Sequence, residues 1–313
     1  MARNKIGLVG AGNIGGELAN LAAAAGLGDV VLFDVPSREG VCRGKALDLE
    51  QRTALDGRDV RIIGTADYAD LGGSDVVIVT AGIPRKPGQS RDDLVGTNLP
   101  IIRDVAQNLR RHCPDAFVIV VSNPLDAMVY ELRRVTGFPR ERVVGMAGVL
   151  DAARFSLFLA RELGVSIRDV RATVLGGHGD DMVPLLGSST VNGVAVTELL
   201  PADRLEAIVQ RTRAGGGEIV KLMGTSAYYA PAAAAMAMAE AYLRDQKRLL
   251  PAAAYLQGEY GYEDLYMGVP VVIGSGGVER IVTLRLTETE TAMLARSAAS
   301  VRAVVDVVKG HAG

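Results

Sequence analysis

Cysteine is scarce in this chain. Cys42 and Cys113 are its only two cysteines among 313 residues, and they stand far apart in the sequence. Disulfide scaffolds and zinc knuckles need several closely spaced cysteines, so we expect neither a disulfide framework nor a metal site. Few cysteines are also typical of a reducing compartment, and we expect a cytoplasmic protein with two ordinary, partly buried thiols.

An excess of positive charge is missing too. The chain has 34 lysines and arginines against 36 aspartates and glutamates, which gives a formal net charge of -2. A polyphosphate backbone or an anionic membrane attracts proteins that carry a strong positive field. We therefore expect no nucleic acid and no membrane surface as a partner.

Long apolar runs are absent as well. A helix that spans a bilayer needs roughly 18 or more apolar residues, and no stretch of this sequence reaches that length. The segment from Met1 to Ala11 imitates a secretory signal, but the apolar run stops at Asn13 and Glu17 soon follows. We expect this segment to stay in the folded chain, because its glycines serve a purpose described below.

The first part of the chain alternates short β-branched runs with longer helical patterns. This alternation is typical of a parallel sheet whose strands are joined by crossover helices. We predict strands at residues 5–9, 30–33, 60–63, 76–80, 117–121 and 143–145, and helices at residues 14–25, 44–54, 94–111 and 126–136. The pattern predicts an α/β fold, a Rossmann-type doubly wound parallel sheet that forms a dinucleotide-binding domain over residues 1–145.

After residue 145 the pattern changes. We predict a helix at 149–163, a strand at 170–175, short antiparallel strands within 183–200, helices at 204–223 and 227–244, a β-rich stretch at 249–286 and a last helix at 289–308. These elements predict an α+β catalytic and substrate-binding domain over residues 146–313. The chain is long enough for two domains, and without a low-complexity linker between them we expect the two to be tightly joined.

A glycine-rich motif directly follows the first predicted strand and opens the first predicted helix. It reads Gly10-Ala11-Gly12-Asn13-Ile14-Gly15. The first glycine permits a tight turn, the second lets a pyrophosphate approach, and the third allows close helix packing. Asp34 ends the second strand, where its carboxylate would bind an adenosine ribose and repel a 2′-phosphate. The motif predicts an NAD site, the alternative being a structural turn with a capping aspartate.

Only three histidines are present, and His178 has the setting best suited to chemistry. It stands in Gly176-Gly177-His178-Gly179-Asp180, whereas His112 lies at a polar helix end and His311 is third from the C-terminus. An imidazole titrates near neutral pH and passes a proton in either direction. Flanking glycines let a cofactor or substrate come close to the ring. We therefore predict an acid/base role for His178, the alternative being a hydrogen-bonded structural histidine.

Asp151 and Arg154 stand three residues apart near the start of a predicted helix and so share one face. One interpretation is an ion pair within the helix. The other sends Asp151 to His178, where a carboxylate fixes the tautomer, and leaves Arg154 to grip a substrate carboxylate. The residues alone leave both interpretations open.

Cations and amides follow the fourth and fifth predicted strands, at the edge where such sheets bind ligands. The segment 81–91 is long for its place and rich in glycine and proline, which indicates a loop that closes. It carries Arg85 and Arg91, which taken alone could equally be solvated. We expect the same edge of the sheet to carry Asn98, Val121, Ser122 and Asn123. We expect the asparagines to bind the nicotinamide end of the cofactor or a substrate hydroxyl.

Taken together, these motifs resemble the lactate/malate dehydrogenase family, and most of all its lactate-dehydrogenase-like malate dehydrogenase branch. The resemblance spans nearly the whole chain in order and rests on the glycine motif, Ile83 to Gly88 with Arg91, Ser122 to Pro124, Asp151 to Phe155, and Gly176 to Asp180. It implies that His178 donates and accepts the proton while Asp151 orients it. It also implies that Arg154 clamps the C1 carboxylate, Arg91 polarises the reacting carbonyl and Asn123 binds substrate.

The resemblance makes Arg85 the residue that selects the substrate. Lactate enzymes generally have glutamine at the matching position, whereas an arginine would neutralise the second carboxylate of malate or oxaloacetate. We therefore expect reversible NAD-dependent oxidation of (S)-malate to oxaloacetate, a small-molecule substrate, by a homodimer or homotetramer. A lactate or broad 2-hydroxy acid dehydrogenase is the nearer alternative and a non-catalytic dinucleotide-sensing protein the remote one.

Two details of the resemblance concern local structure. The Asn123–Pro124 bond is commonly cis in this family, and we expect it to be cis here. Thr225-Ser226 stand where related malate enzymes more often read Thr-Gly-Ser, so the contact that these two residues make with substrate stays open. No Tyr-x-x-x-Lys pattern follows the sheet, which argues against a short-chain reductase.

Overall fold

Six parallel strands from the first half of the chain form the base of the fold. The computed structural model describes residues 3–84 and 91–311, except for the side chains of residues 91–93. The strands are β1 (Lys5–Val9), β2 (Asp29–Phe33), β3 (Ile62–Thr65), β4 (Val76–Val79), β5 (Phe117–Val120) and β6 (Val143–Gly145). They lie in the order β3-β2-β1-β4-β5-β6. The order reverses between β1 and β4, which leaves a ligand crevice at their carboxyl ends.

Four long helices connect these strands: α1 (Asn13–Ala25), α2 (Glu39–Leu55), α3 (Arg91–His112) and α4 (Leu125–Thr136). Strands β4 and β5 read Val-Val-Ile-Val and Phe-Val-Ile-Val, and every residue in them is buried. Continuous burial is expected of central parallel strands that are covered on both faces. The prediction of a Rossmann-type doubly wound sheet is confirmed.

The second half of the chain supplies the remaining elements. They are α5 (Gly148–Leu163), β7 (Val170–Arg171), β8 (Val174–Leu175), β9 (Val183–Pro184), β10 (Thr190–Val191), β11 (Val194–Ala195), α6 (Val196–Leu199), α7 (Ala202–Met223), α8 (Tyr229–Leu243), β12 (Arg248–Gln257), β13 (Glu263–Gly274), β14 (Gly277–Ile281) and α9 (Glu288–Gly310). This is the mixed α+β composition that the sequence predicts. Helix α8 packs its alanine and methionine face into the core.

The main sheet is larger than predicted. Strands β12, β13 and β14 form an antiparallel meander, and β12 joins β6 through the pair Ala253 and Gly145. The part of the chain that the structure describes therefore contains a nine-stranded mixed sheet to which both halves contribute. An isolated bridge between Gly176 and Gly268 of β13 ties the segment that carries His178 to this sheet.

Several boundaries differ from the prediction, and the strand predicted at residues 170–175 is divided into β7 and β8. Strand β3 covers Ile62–Thr65, two residues later than the predicted span, because its parallel register with β2 begins at the pair Val30 and Ile62. Helix α2 begins at Glu39, earlier than predicted, after a short 3-10 turn at Pro36–Arg38. Within residues 3–84 and 91–311, none of the helices has the length and apolar character needed to cross a membrane.

Candidate active site

A cleft of about 830 Å³ opens at the carboxyl edge of the parallel strands. Of the described residues that the sequence predicts for the site, ten line it: Gly10, Gly12, Asn13, Ile14, Asp34, Asn98, Val121, Ser122, Asn123 and His178. The structure thus brings the predicted cofactor residues and the predicted acid/base residue into one cleft. Ala11, Gly15, Asp151 and Arg154 are not part of its lining.

The glycine motif forms the turn from β1 into α1. Gly10 has a φ of 110°, and a Cβ atom there would lie 2.6 Å from Oγ1 of Thr80, so only glycine fits. Gly12 faces open space, with no atom within 4 Å of where its Cβ would be. It is also the residue before α1, which begins without a side-chain cap. Free backbone N–H groups beside open space are what a pyrophosphate requires, so the turn fits a dinucleotide.

Asp34 lies directly after β2, beside this turn. Its Oδ2 accepts hydrogen bonds from the backbone N–H of Ala11 at 3.0 Å and from Nε of Arg38 at 3.1 Å. Its Oδ1 accepts from the N–H of Val35 at 2.9 Å. The carboxylate is therefore fixed at the edge of the cleft, where the hydroxyls of an adenosine ribose can reach it.

Lys45 supports the glycine turn from α2, a contact that the sequence did not reveal. Its Nζ donates to the carbonyl oxygens of Ala11 at 2.8 Å and Gly12 at 2.9 Å. Burial and the nearby Arg38 lower the pKa of this ammonium. Lysines on a helix face are usually solvated, so the sequence carries no signal for this bond.

His178, which lines the cleft, forms a hydrogen-bonded pair with Asp151. Nδ1 of His178 lies 2.9 Å from Oδ2 of Asp151, and because a carboxylate only accepts, Nδ1 carries the hydrogen. The Asp151 side chain is 2% exposed and that of His178 is 18% exposed. The ring therefore presents Nε2 to the cleft and keeps its partner behind it.

The groups around His178 favour the protonated form of its imidazole. Burial alone would lower the pKa of His178, but the charge and the hydrogen bond of Asp151 raise it, and Asp126 raises it further. Arg154 opposes these two carboxylates. The net result is a pKa above the ordinary value of an imidazole, which suits a group that must hold a proton near neutral pH.

Arg154 lies beside the pair on the same helix turn. Its Nη1 donates to Oδ1 of Asp151 at 3.2 Å, so Asp151 makes both the ion pair within the helix and the contact with His178. Nε of Arg154 is buried without a hydrogen-bond partner among the described residues. Because this nitrogen is almost fully inaccessible and Arg154 does not line the cleft, its grip on a substrate carboxylate stays a prediction.

Asn98 makes contacts that the sequence did not anticipate. Its Nδ2 donates to the carbonyl oxygens of Ile83 at 3.1 Å and Asn123 at 2.8 Å, and its Oδ1 accepts from the N–H of Ile83 at 2.8 Å. Both amide hydrogens are thus engaged by main chain. The side chain joins the strand-end segments after β4 and β5, and its predicted contact with the cofactor stays a prediction.

The end of β5 continues into residues that shape the floor of the cleft. Ser122 donates to the carbonyl oxygen of Ala81 at 2.6 Å, and Val121 is buried. Asn123 is exposed in the cleft, and its bond to Pro124 is cis, as expected. Thr225 and Ser226 line the opposite wall, between α7 and α8.

The two loop arginines cannot be placed. Arg85 lies outside the described residues, and Arg91 is described only as the first residue of α3, without its side chain. Their predicted contacts with substrate therefore stay predictions, as does the closing of the loop.

Asp126, in the first turn of α4, is a cleft residue that sequence analysis missed. Its Oδ2 accepts the backbone N–H of His178 at 2.9 Å. Burial raises the pKa of its carboxyl to about 6. The only signal in the sequence is an acidic residue soon after Asn123-Pro124, which is also typical of ordinary helix starts.

One cleft thus carries a turn that fits a dinucleotide and a histidine that is hydrogen-bonded to a carboxylate, as in a dinucleotide-dependent dehydrogenase. Comparison with known families agrees. The lactate/malate dehydrogenase NAD-binding domain matches residues 4–145, and the lactate/malate dehydrogenase alpha/beta C-terminal domain matches residues 148–311. The chain belongs to the lactate/malate dehydrogenase family.

Individual relatives cover almost the full chain. It is 67% identical to a malate dehydrogenase of Sorangium cellulosum, over 98% of this chain and 98% of that relative, and 58% identical to one of Myxococcus xanthus, over 99% and 100%. The crystal structure of Cryptosporidium parvum malate dehydrogenase superposes with a TM-score of 0.96 at 46% identity, covering 98% of this chain and 99% of that one. The lactate dehydrogenase of the same organism, complexed with lactic acid and nicotinamide adenine dinucleotide, gives 0.95 at 44% identity and 99% coverage of both chains.

Proposed function

We propose that this chain catalyses the reversible oxidation of (S)-malate to oxaloacetate with NAD. The observation that carries the proposal is the His178–Asp151 pair, at 2.9 Å, on the same cleft as the glycine turn and Asp34. Oxidation of a secondary alcohol removes a hydride and a proton, so it needs a hydride acceptor and a base side by side. Relatives of 58% to 67% identity that are named malate dehydrogenase support the choice of substrate.

His178 carries the proton in both directions. In malate oxidation, neutral His178 takes the proton of the C2 hydroxyl at Nε2 while a hydride leaves C2. NAD, when bound, supplies the acceptor for that hydride. In the reverse direction the imidazolium returns its proton to the carbonyl oxygen of oxaloacetate. Asp151 stabilises the imidazolium through Nδ1 and so favours the ring that has just accepted a proton.

The remaining site residues bind and orient the substrate. Arg154, beside the His178–Asp151 pair, grips the C1 carboxylate through its guanidinium. Asn123, exposed in the cleft, binds the substrate from the end of β5. Arg91 polarises the C2 carbonyl, and Arg85 neutralises the second carboxylate, which pyruvate and lactate lack.

A lactate or broad 2-hydroxy acid dehydrogenase is the second candidate. It is favoured by the near-identical fold of a lactate dehydrogenase at 44% identity, because His178, Asp151 and Arg154 would serve either substrate. A protein that only senses the dinucleotide is the remote candidate, and it has no need of the acid/base pair. Arg85 is the residue that argues for malate.

The deciding experiment measures NADH oxidation with oxaloacetate and with pyruvate side by side. We expect a much higher kcat/KM with oxaloacetate. A preference for pyruvate would establish the second candidate, and tight NADH binding without turnover of either acid would establish the third.

We also propose the division of the chain into an NAD-binding domain, residues 1–145, and a catalytic and substrate-binding domain, residues 146–313. The change from parallel to antiparallel pairing after β6 supports this boundary. A cytoplasmic location is proposed as well, with support from the buried free thiols of Cys42 and Cys113. Cell fractionation would test the location.

A homodimer or homotetramer is the proposed assembly. Large apolar side chains are exposed on α2 and near the junction of α7 and α8: Leu47, Leu55, Leu222 and Tyr229, with exposed fractions from 58% to 89%. Clusters of exposed apolar side chains are typical of subunit contacts. Light scattering on the purified protein would give its mass relative to the 32.9 kDa chain.

A further inference from the structure

The glycine turn between β1 and α1 is held by a cation from outside the cleft lining. Lys45 of α2 is partly buried and does not line the cleft. Its Nζ donates to the carbonyl oxygen of Ala11 at 2.8 Å and to that of Gly12 at 2.9 Å. A lysine that gives its hydrogens to two main-chain carbonyls has lost solvation and side-chain freedom, so the contact calls for a physical reason.

The two carbonyls belong to the peptide groups that supply N–H donors to the cleft. A trans peptide group is planar and points its C=O and its N–H in opposite directions. The carbonyl of Ala11 shares a peptide group with the N–H of Gly12, and the carbonyl of Gly12 shares one with the N–H of Asn13. Lys45 therefore directs both N–H groups away from itself. Gly12 and Asn13 line the cleft, and neither N–H has a hydrogen-bond partner among the described residues.

The first of these two peptide groups depends on Lys45 most. The carbonyl oxygen of Gly12 also accepts the N–H of Gly16 at 3.1 Å, so helix α1 orients it without the lysine. The carbonyl oxygen of Ala11 has no second donor within the described part of the chain. Asp34 holds the N–H of Ala11 at 3.0 Å, which leaves the Ala11–Gly12 peptide group as the part of the turn that Lys45 orients.

The charge of Lys45 is poorly compensated in the protein alone. Burial and the nearby Arg38 lower its pKa. Asp34 is the one carboxylate that raises this pKa, and Arg38 already pairs with Asp34 at 3.1 Å. Helix α1 has no acidic residue in its first turn. An ammonium bonded to a carbonyl also polarises the peptide group, which strengthens the N–H at its far end as a donor. An anion at the cleft side of the turn would satisfy both the donors and the charge.

We propose that Lys45 is a positioning residue for the pyrophosphate of the cofactor. It fixes the Ala11–Gly12 peptide group so that the N–H of Gly12 is available in the cleft, and it supplies the positive charge that the glycine motif lacks. The inference rests on the proposed function, in which this turn binds NAD. Lys45 acts through the peptide group, so its loss should weaken the binding of ligands that carry a pyrophosphate and spare the proton transfer at His178.

A simpler role for Lys45, attachment of α2 to the turn, must be distinguished. Such a role predicts that removal of the lysine loosens the whole site, so that kcat falls together with the affinity for the cofactor. The proposal predicts weaker binding at nearly unchanged kcat, because Lys45 bonds the glycine turn and neither member of the His178–Asp151 pair.

The test measures the Kd for ADP-ribose by calorimetry, in the absence of any 2-hydroxy or 2-keto acid. ADP-ribose carries the adenosine and the pyrophosphate of NAD without the nicotinamide. Lys45→Met keeps a long side chain and removes the charge and the donors. We expect the Kd to rise at least about tenfold, the usual worth of hydrogen bonds that involve a charged group. The KM for NADH should rise similarly, while kcat with oxaloacetate at saturating NADH stays within about twofold, as for a loss of uniform binding.

Arg43→Met is the matched control, since it removes the same charge from the same helix. The Arg43 side chain is 70% exposed and pairs with Glu39 at 3.8 Å, so its loss should leave the Kd for ADP-ribose near its original value. An unchanged Kd in Lys45→Met would overturn the proposal, and so would an equal rise in Arg43→Met or a kcat that falls with the affinity. If the methionine variant does not fold, Lys45→Leu provides the same neutral test. Absence of turnover in the unaltered protein would contradict the proposed function instead, and the ADP-ribose titration would still decide the role of Lys45.

Discussion

Nδ1 of His178 and Oδ2 of Asp151 lie 2.9 Å apart, although 27 residues separate them in the chain. Asp151 stands in the first turn of α5 and is almost fully buried, whereas the histidine borders the cleft. The bond fixes which ring nitrogen faces the cleft and places an anion behind it. A proton carrier that works in both directions requires both features.

Replacing Asp151 by asparagine should lower kcat at least about a hundredfold, the usual range for a lost acid/base function. The amide has the size of the carboxyl, but it cannot stabilise the imidazolium and it can impose the wrong tautomer. Steady-state assays with oxaloacetate and NADH measure the effect. Asp115→Asn is the control, since the Asp115 side chain is 99% exposed and its variant should behave as the unaltered protein does.

The pH dependence should differ between the two directions. Oxaloacetate reduction needs protonated His178, so its rate should stay high at neutral pH and fall as pH rises through the raised pKa. Malate oxidation needs the neutral ring, so its rate should rise over that same interval. Burial acts against this raised pKa and Asp151 more than offsets it, so Asp151→Asn should move both limbs to lower pH. Profiles of kcat/KM that shared one direction, or that did not move in the variant, would argue against His178 as the titrating group.

Changing Asp34 to serine should shift the preference from NADH toward NADPH by about tenfold or more, the worth of hydrogen bonds to a charged group. The variant removes the carboxylate that would repel a 2′-phosphate. In the unaltered protein Arg38 is bonded to Asp34 at 3.1 Å, so the variant also frees Arg38 to bind the 2′-phosphate. The ratio of kcat/KM for the two cofactors measures the shift. Asp34→Ser combined with Arg38→Gln should lose most of the gain with NADPH, and equal use of both cofactors by the unaltered protein would refute the role of Asp34.

Replacing Arg85 by glutamine should reduce the ratio of oxaloacetate to pyruvate turnover by at least about thirtyfold. The estimate follows from a loss of about 2 kcal/mol when one partner of a desolvated charge pair is removed. Lys86→Gln, at the adjacent position, is the control and should leave the ratio near its original value. An unchanged ratio in Arg85→Gln would mean that another group selects the substrate.

Local patterns predicted the first half of the fold well, because its contacts are regular. Strands such as β4 and β5 are short, apolar and β-branched, and crossover helices fix their parallel order. The attachment of β12 to β6 could not be predicted, since the pair Ala253 and Gly145 joins distant parts of the chain without a local signal. The start of β3 was misplaced for a similar reason, because pairing with β2 overrides the preference of Val60 for a strand.

The candidate site could likewise be predicted only in part. For the glycine motif, Asp34 and His178, the neighbouring residues in the sequence indicate the chemistry. Lys45 and Asp126 act through single contacts with main chain from other elements, and charged residues on helices are too common to stand out. Asn98 was predicted to bind the cofactor, a role that stays a prediction, and its main-chain partners depend on how two strand ends meet.

His178 is the group that we propose exchanges the proton with substrate. The direct test compares oxaloacetate reduction by the unaltered protein and by His178→Asn, with NADH affinity measured in parallel by fluorescence. We predict that kcat falls at least about a hundredfold while the Kd for NADH stays within about twofold, because we expect the glycine turn and Asp34 to supply most of the contacts with the dinucleotide. Near-normal turnover in His178→Asn would contradict the account.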